Sequence, residues 1–351
     1  MRFFFTGGGN GPSGGGRVLN EVVQLVISKG YQAWLCLPGE DPRRATFVSN
    51  PAPVLSIQAV RKIISEEDVV IFGWHSSEEF ELLQETAATK IFWQHGNLIP
   101  IGQNQVGAKM LDPKLIDQYW NVSKACGNFI SQKYSTHEPH IVSPFFRSHE
   151  SEASAPLPPA LRDGILFQQR RGFDLYPGLK RIAEKHGERT TLLRWPFHND
   201  QLLEELNRHK FFVSFDRGLR YNQTLGRRRA NFLKTRSEGG TLKNALTAPA
   251  PWVRHKPKML GFPISAAQAA VQGVIVIGFA MGGGLEWMSS KTAYLARDGS
   301  GQDLRQQLKK ALSDSESAHE TKRHAALEAM KKFDSERTWT QIRSALASKN
   351  S

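Results

Sequence analysis

The sequence alternates short apolar runs with amphipathic stretches, and this alternation constrains the fold more than any other feature. Residues 2–6, 32–37 and 90–94 have the length and composition of buried strands, and stretches of helical period separate such runs. Parallel strands covered on both faces are nearly continuous apolar runs, and a crossover helix usually joins them. The first half of the chain is therefore predicted to be a doubly wound α/β domain.

Six strands are predicted in the first half, at residues 2–6, 32–37, 68–74, 90–94, 118–122 and 140–143. Helices are predicted to begin near Ser13, Ile57, Ser77 and Ser123, and serine is a favoured helix-capping residue. After Phe146 the chain is polar and rich in proline, so it cannot bury a face. We interpret residues 1–146 as an N-terminal Rossmann-like domain and residues 147–162 as a linker.

The same alternation resumes after the linker. Strands are predicted at residues 164–169, 190–194, 210–215 and 274–279, and helices at 178–186, 199–208, 264–272 and from Gln302 onward. Residues 163–332 are predicted to form a second Rossmann-like domain, and residues 333–351 a C-terminal helix. A basic insertion without a clear period, residues 217–258, interrupts this second domain.

The overall composition is that of a folded globular protein. A chain of 351 residues suits two domains, since domains commonly hold about 100–200 residues. No apolar run has the length of a signal peptide or of a membrane-spanning helix, which favours a cytoplasmic protein. The two cysteines, Cys36 and Cys126, are predicted to be buried free thiols, and no metal site is expected.

Positive charge is concentrated in the basic insertion 217–258. This stretch carries ten of the thirteen net positive charges of the chain. A local basic block binds anions of many kinds, so three interpretations stay open: contact with an anionic membrane, contact with single-stranded nucleic acid, or an exposed loop. Nucleic acid is the interpretation that we do not favour.

A glycine-rich loop lies between the first predicted strand and the first predicted helix. It runs from Gly7 to Gly16, and Gly14, Gly15 and Gly16 stand at the predicted helix start. Glycines allow a ligand to approach the backbone, and the N–H groups of a helix N-terminus favour phosphate. A dinucleotide fingerprint is the alternative, since residues 9–14 fit G-x-G-x-x-G and Glu40 could bind a ribose, although Pro12 interrupts the motif.

Several segments together resemble the family 4 retaining glycosyltransferases. In chain order they are Ser13-Gly14-Gly15-Gly16-Arg17-Val18, Trp93-Gln94-His95-Gly96-Asn97, Val122-Ser123-Lys124, the segment 261–273, Gly282-Gly283-Gly284-Leu285-Glu286 and the segment 333–339. The resemblance implies a GT-B fold, with two Rossmann-like parallel-sheet domains and a cleft between them. It further implies that the C-terminal helix returns to the first domain.

The implied chemistry is the transfer of a sugar from a nucleoside diphosphate sugar, with no cofactor beyond that donor and no metal ion. The family places two cations on the leaving diphosphate, and Arg170 and Arg171 are the matching residues here, unless they are a solvated loop pair. His95 is implied to contact the donor sugar or the acceptor, and His75 is a candidate on the acceptor side. As isolated histidines at strand ends, both could equally be structural.

The same resemblance assigns residues to the donor. Gln268 is implied to contact the ribose, and Gly14, Gly15 and Gly16 to face the cleft. Gly282, Gly283 and Gly284 are implied to let a turn approach the sugar or the phosphates. Glu286 is expected either to cap the next helix or to contact a sugar hydroxyl.

The chain departs from the family at two positions. Where the family has two glutamates, this chain has Leu260 and Gln268. Gln268 can still donate and accept hydrogen bonds, but Leu260 cannot carry a charge. Three functions therefore stay open: a transferase with a divergent donor or with a shifted acid such as Asp216, an inactive nucleotide-sugar or glycan binding protein, and an NAD-dependent oxidoreductase.

For the transferase, the expected partners are a nucleotide sugar and a glycan or lipid-linked acceptor. No nucleic acid is expected. A basic surface would also allow peripheral contact with the anionic inner face of a membrane.

Overall fold

Two parallel β-sheets organise the protein. The structure, a computed structural model, describes residues 1–7, 14–37, 50–73, 76–95, 109–134, 139–146, 157–168, 175–194, 197–215, 261–297 and 300–348. One sheet has seven strands and defines the N-terminal lobe, and the other has five and defines the C-terminal lobe. The prediction of two parallel-sheet α/β domains is therefore confirmed.

The sheet of the N-terminal lobe has the order β3-β2-β1-β4-β5-β6-β7. Its strands are β1 (Arg2–Thr6), β2 (Gln32–Leu37), β3 (Val54–Ser56), β4 (Val69–Gly73), β5 (Thr89–Gln94), β6 (Gln118–Asn121) and β7 (His140–Ile141). Its helices are α1 (Gly14–Ser28), α2 (Ile57–Ile63), α3 (Ser77–Leu83) and α4 (Lys124–Tyr134). The strand order reverses between β1 and β4, and ligands of such sheets bind outside the carboxyl ends at that point.

The sheet of the C-terminal lobe has the order β12-β11-β10-β8-β9. Its strands are β8 (Ile165–Gln168), β9 (Thr190–Leu193), β10 (Phe211–Val213), β11 (Ile275–Phe279) and β12 (Tyr294–Ala296). The helices that follow in the chain are α5 (Tyr176–Lys185), α6 (Asn199–Arg208), α7 (Ile264–Val271), α8 (Gly301–Ser313), α9 (Glu316–Met330) and α10 (Ser335–Ala347).

Burial on both faces explains the apolar runs. Phe3, Phe4 and Phe5 of β1 are all completely buried. Successive side chains of a strand point to opposite faces, so Phe3 and Phe5 join the core on one face and Phe4 joins the core on the other. The core on the first face continues from the N-terminal lobe across the junction into the C-terminal lobe.

The last helix, α10, packs against the N-terminal lobe. Its Thr338 hydroxyl donates to the carbonyl of Ser143 over 3.0 Å, and the Ser143 N–H donates to the Gln341 side chain over 2.9 Å. Farther along α10, the Gln118 side chain donates to the carbonyl of Ala345 over 2.8 Å. The strand β7 ends at Ile141, so the strand predicted at 140–143 is shorter than expected, and Ser143 pairs with α10 instead.

The two passages of the chain between the lobes lie side by side. The N–H of Phe146, where the N-terminal lobe ends, donates to the carbonyl of Phe333 over 2.9 Å. The rings of both residues also contact Phe262 of the C-terminal lobe, at centroid distances of 5.7 and 5.1 Å. A small aromatic cluster thus joins both passages to the C-terminal lobe.

Most predicted elements are confirmed to within two residues. The strands at 2–6 and 32–37 and the helix at 199–208 have the predicted bounds. Ser56 and Ser123 accept hydrogen bonds from backbone N–H groups at the starts of α2 and α4, as capping residues do. The sequence did not predict β3 and β12, which have only three residues each.

Candidate functional site

The N-termini of α1 and α7 meet between the two lobes. A crossover helix runs back along its sheet, so its N-terminus lies at the carboxyl edge of the strands. A Cβ added to Gly14 would lie 3.2 Å from the Cβ of Ile264, the first residue of α7. The missing side chain at Gly14 therefore lets the two helix ends come together, and with them the carboxyl edges of both sheets.

Arg17 of α1 bridges the lobes. Its Nη2 donates to Oε1 of Gln268 in α7 over 2.6 Å, and its Nε donates to Oε1 of Glu21 over 2.7 Å. Arg17 is 7% exposed and Gln268 is 1% exposed. Gln268 thus lies at the junction of the lobes, and its amide oxygen has a partner that the sequence did not suggest.

The junction is suited to an anion. The N-terminus of each α-helix carries a partial positive charge of about half an electron, together with N–H groups that have no partner inside the helix. Neither α1 nor α7 has an acidic residue in its first turn. With the Arg17 guanidinium at the same place, the carboxyl edges of the two sheets present a positive site of the kind that binds phosphate.

His95 follows the carboxyl end of β5 and faces the start of α1. A Cβ added to Gly15 would lie 3.9 Å from its Nδ1, and the imidazole packs on the Trp93 ring at a centroid distance of 4.1 Å. Burial lowers the pKa of His95 to about 3, so the ring is neutral at pH 7. Its Nε2 is closed to solvent and has no hydrogen-bond partner in the described part of the chain.

Gly282, Gly283 and Gly284 form a buried 3₁₀ turn beside α7. A Cβ on Gly283 would lie 2.4 Å from Cδ2 of Phe262, and one on Gly284 would lie 3.1 Å from Cγ of Pro263. Close packing within the C-terminal lobe therefore explains why glycine is present at these two positions. The approach of a donor to this turn stays a prediction.

Glu286, at the end of the same turn, contacts the N-terminal lobe. Its Oε1 accepts a hydrogen bond of 2.8 Å from the backbone N–H of Lys124, the first residue of α4. A carboxylate at this place stabilises a helix N-terminus. Glu286 therefore caps a helix of the opposite lobe that precedes it in the chain, and not the next helix, as one of its two expected roles had it. Contact with a sugar hydroxyl stays a prediction.

The end of β1 is held by polar side chains that the sequence did not single out. Gly7 has a φ of +79°, and a Cβ there would lie 2.4 Å from Oγ of Ser76. The Thr6 hydroxyl donates to that same oxygen over 2.7 Å. The buried carboxyl of Glu79 accepts from the N–H of Gly7, and burial raises its pKa. Together these contacts fix where the glycine-rich loop begins.

Some of the predicted site residues lie outside the described residues. These are Arg170, Arg171, His75, Leu260, Asp216 and Glu40, and with them the loop residues 8–13 and the basic insertion 217–258. The structure places Gly15 beside His95, and the start of α1, which holds Gly14 and Gly16, beside the helix that carries Gln268. It adds Arg17, which belongs to the motif at residues 13–18 and had no predicted role.

A signal for Arg17 was present in the sequence. Cations are unfavourable in the first turn of a helix, so an arginine directly after three glycines at a helix start indicates a special role. Within the described ranges, no group of three or more His, Cys, Asp or Glu residues is arranged to hold a metal ion. Likewise, none of the described helices is long and apolar enough to cross a membrane.

By sequence, no family model and no curated protein matches this chain. By structure, the chain is similar to HepE from Anabaena, solved with UDP and glucose, at a TM-score of 0.62 and 15% identity, covering 99% of this chain and 100% of HepE. It is also similar to an alpha-glucosyltransferase solved with UDP and a 13-mer DNA containing an HMU base, at a TM-score of 0.63 and 10% identity, with 99% of each chain covered.

A third similar structure is TarM of S. aureus, solved with fondaparinux, alpha-GlcNAc-glycerol and UDP. The TM-score is 0.58 at 12% identity over 82% of this chain, and the match spans 57% of the TarM chain. Identities this low show the fold alone. The chain has the GT-B fold, with two parallel-sheet domains that face each other.

Proposed function

We propose that this protein is a glycosyltransferase that transfers a sugar from a nucleoside diphosphate sugar to a hydroxyl acceptor. The observation that carries the proposal is the meeting of the α1 and α7 N-termini at the carboxyl edges of both sheets. A diphosphate is the part of such a donor that gains negative charge as the sugar leaves, and helix N-termini stabilise that charge. The UDP bound in the similar structures of HepE and the alpha-glucosyltransferase supports this assignment.

The described residues suit the remaining parts of the donor. His95 is neutral, so it can hydrogen-bond a sugar hydroxyl but adds no charge. Gln268 lies one helical turn beyond the start of α7, at the place proposed for the ribose. We further propose Arg170 and Arg171 as cations for the diphosphate, because they follow the carboxyl end of β8 within three residues.

The finer features rest on the resemblance to family 4. We propose that the reaction retains the anomeric configuration and needs no metal ion. The acceptor is proposed to be a glycan or a lipid-linked hydroxyl, and the basic insertion 217–258 would favour an anionic acceptor or an anionic membrane surface. The DNA in one similar structure makes a DNA acceptor worth including as a comparison.

Binding and turnover together test the proposal. Calorimetry with UDP, GDP, ADP and NAD is expected to show binding of at least one nucleoside diphosphate, which NAD does not displace. A hydrolysis assay with the matching nucleotide sugars, run with and without EDTA, is expected to release the diphosphate in both conditions. Binding without turnover on any acceptor supports an inactive binding protein, and NAD binding that resists UDP, GDP and ADP supports the oxidoreductase.

The acceptor and the stereochemistry need a separate assay. Incubation of the active donor with short glycans, lipid-linked glycans and duplex DNA identifies the acceptor by mass. Proton NMR of the product then gives the anomeric configuration, and a product with the inverted configuration would contradict the retaining assignment.

A further inference from the structure

The positive charge of Arg17 lies near a helix N-terminus, whose own partial charge is also positive. Arg17 is the fourth residue of α1, and long side chains on a helix point back toward its N-terminus. Its contact with Gln268, the fifth residue of α7, places the guanidinium beside the first turns of both helices. Since both helix ends are themselves positive, a cation there is unfavourable unless an anion accompanies it.

The described residues offer one carboxylate to this junction. Glu21 pairs with Nε of Arg17, and no other carboxylate among the described residues lies within ion-pair distance of Arg17. One carboxylate offsets the guanidinium but leaves the partial charges of two helix N-termini. Counted over the described residues alone, the site therefore keeps a net positive potential when it holds no ligand.

One end of the guanidinium lacks a partner. Nε and Nη2 are hydrogen-bonded, whereas Nη1 is closed to solvent and has no partner in the described part of the chain. A buried donor without an acceptor is destabilising, and such groups are rare in native proteins. An unsatisfied donor on a side chain that is more than nine-tenths buried, beside two helix N-termini, indicates a ligand oxygen.

We propose that Arg17 binds the diphosphate of the donor through Nη1 and stabilises it as the leaving group. This inference rests on the proposed glycosyltransferase function. In the transfer, the bond between the anomeric carbon and the diphosphate oxygen breaks, and its electron pair stays on the diphosphate. The acceptor oxygen bonds to the anomeric carbon, and its proton passes to the departing diphosphate. Arg17 donates a hydrogen bond to the oxygens that gain charge.

The position of Arg17 also gives it a geometric role. It belongs to the N-terminal lobe but is bonded to Gln268 of the C-terminal lobe. A diphosphate bound by Arg17 therefore contacts both lobes at once, and the charge of the leaving group is met from two sides.

Calorimetry on the full chain tests this role. Arg17→Met is expected to weaken the binding of UDP, GDP or ADP, whichever the wild type binds, and of inorganic pyrophosphate, by about 10- to 100-fold. Binding of the corresponding nucleoside is expected to change much less, since it loses only the support that Arg17 gives Gln268. Arg17→Lys keeps the charge and is expected to lose less than Arg17→Met. In the donor-hydrolysis assay, Arg17→Met should lower kcat more than it raises KM, because the charge grows in the transition state.

Lys29→Met is the matched control. Lys29 lies at the other end of α1 and pairs with Glu336 of α10 over 2.5 Å, so its loss removes one charge and one contact between elements but nothing at the junction. Nucleotide and pyrophosphate binding are expected to be unchanged in this variant. Thermal unfolding of each variant shows whether it is folded under the assay conditions.

The outcomes separate the possible roles. If Arg17→Met binds the diphosphate as tightly as the wild type or more tightly, Arg17 is only a tie between the lobes and the proposal is wrong. Equal losses for the nucleoside and the diphosphate also overturn it. If the wild type binds pyrophosphate through Arg17 but none of the three nucleoside diphosphates, Arg17 belongs to an anion site and the proposed nucleotide donor is wrong. A wild type that binds neither refutes both proposals.

Discussion

His95 shows how burial decides the chemistry of a single residue. A free histidine titrates near pH 6.5, whereas burial lowers the pKa of His95 to about 3. The imidazole at the start of α1 is therefore a hydrogen-bonding group without charge across the physiological range. This state suits contact with a sugar hydroxyl and adds no further cation to an already positive junction.

The pH dependence of His95 follows from the same shift. As the pH falls below about 6.5, the unfolded chain takes up a proton at this residue and the folded protein does not, so stability is lost between about pH 6.5 and pH 3, by up to about 1.4 kcal/mol per pH unit. NMR of the labelled ring, assigned with His95→Gln, is expected to show no titration between pH 5 and pH 8. A midpoint near pH 6.5 in the folded protein would contradict the burial of this ring.

Glu286 offers a test of capping against ligand contact. Glu286→Ala removes the acceptor for the Lys124 N–H and is expected to lower the free energy of unfolding by about 0.5–2 kcal/mol. Glu286→Gln keeps a side-chain oxygen and should lose less. Urea denaturation measures both. If Glu286 acts only as a cap, the KM for the donor stays unchanged in Glu286→Gln, and a large rise in KM with unchanged stability indicates a sugar contact instead.

At the scale of elements, the glycines of the 3₁₀ turn and those at the start of α1 have different roles. Gly283 faces Phe262 at a distance that excludes a methyl group, whereas a methyl group on Gly15 would make ordinary contact with His95. Glycine is therefore needed at position 283 for packing. Glycine at position 15 leaves the N-terminus of α1 open.

Two alanine variants separate these roles. Gly283→Ala is expected to destabilise the protein by about 1–3 kcal/mol, because Phe262 and its aromatic cluster must move. Gly15→Ala is expected to leave the stability unchanged or raise it by up to about 1 kcal/mol, since alanine favours a helix. If the loop contacts the donor, Gly15→Ala nevertheless weakens nucleotide binding. Chemical denaturation and calorimetry on both variants check this, and unchanged binding in Gly15→Ala would remove that loop from the donor site.

The sequence predicted those elements whose signal is local. Strands with buried apolar runs, such as β1 and β4, and amphipathic helices, such as α6, repeat a pattern over enough residues to be recognised. The strand β3 could not be found, because Val54-Leu55-Ser56 is too short to show a period. The meeting of Arg17 with Gln268 was also beyond prediction, since 251 positions separate these residues and only the packing of two lobes joins them.

At the scale of the whole molecule, α10 completes the N-terminal lobe with the end of the chain. Trp339 packs on Tyr31 at a centroid distance of 5.5 Å, and Ile342 lies in the core that runs through both lobes with none of its surface exposed. The N-terminal lobe is therefore not a self-contained product of the first half of the sequence.

Removal of buried surface from α10 tests that dependence. Ile342→Ala is expected to lower the free energy of unfolding by about 2–5 kcal/mol, because it leaves a cavity in a completely buried position. Arg343→Ala, at the next and exposed position, serves as the control, with an expected change within about 0.5 kcal/mol. Equal effects of the two variants in urea denaturation would show that α10 does not stabilise the core.

The pairing of Phe146 with Phe333 gives the molecule a mechanical character. Both passages of the chain between the lobes are hydrogen-bonded to each other at one place, so we expect any relative motion of the lobes to turn about that place. Rotation about it changes the spacing of the lobes least near the aromatic cluster and most at the distant rim, whereas sliding of one lobe past the other would break the pairing. If the proposed diphosphate binds between the lobes, we expect a tilt of one lobe away from the other about this pairing to release it.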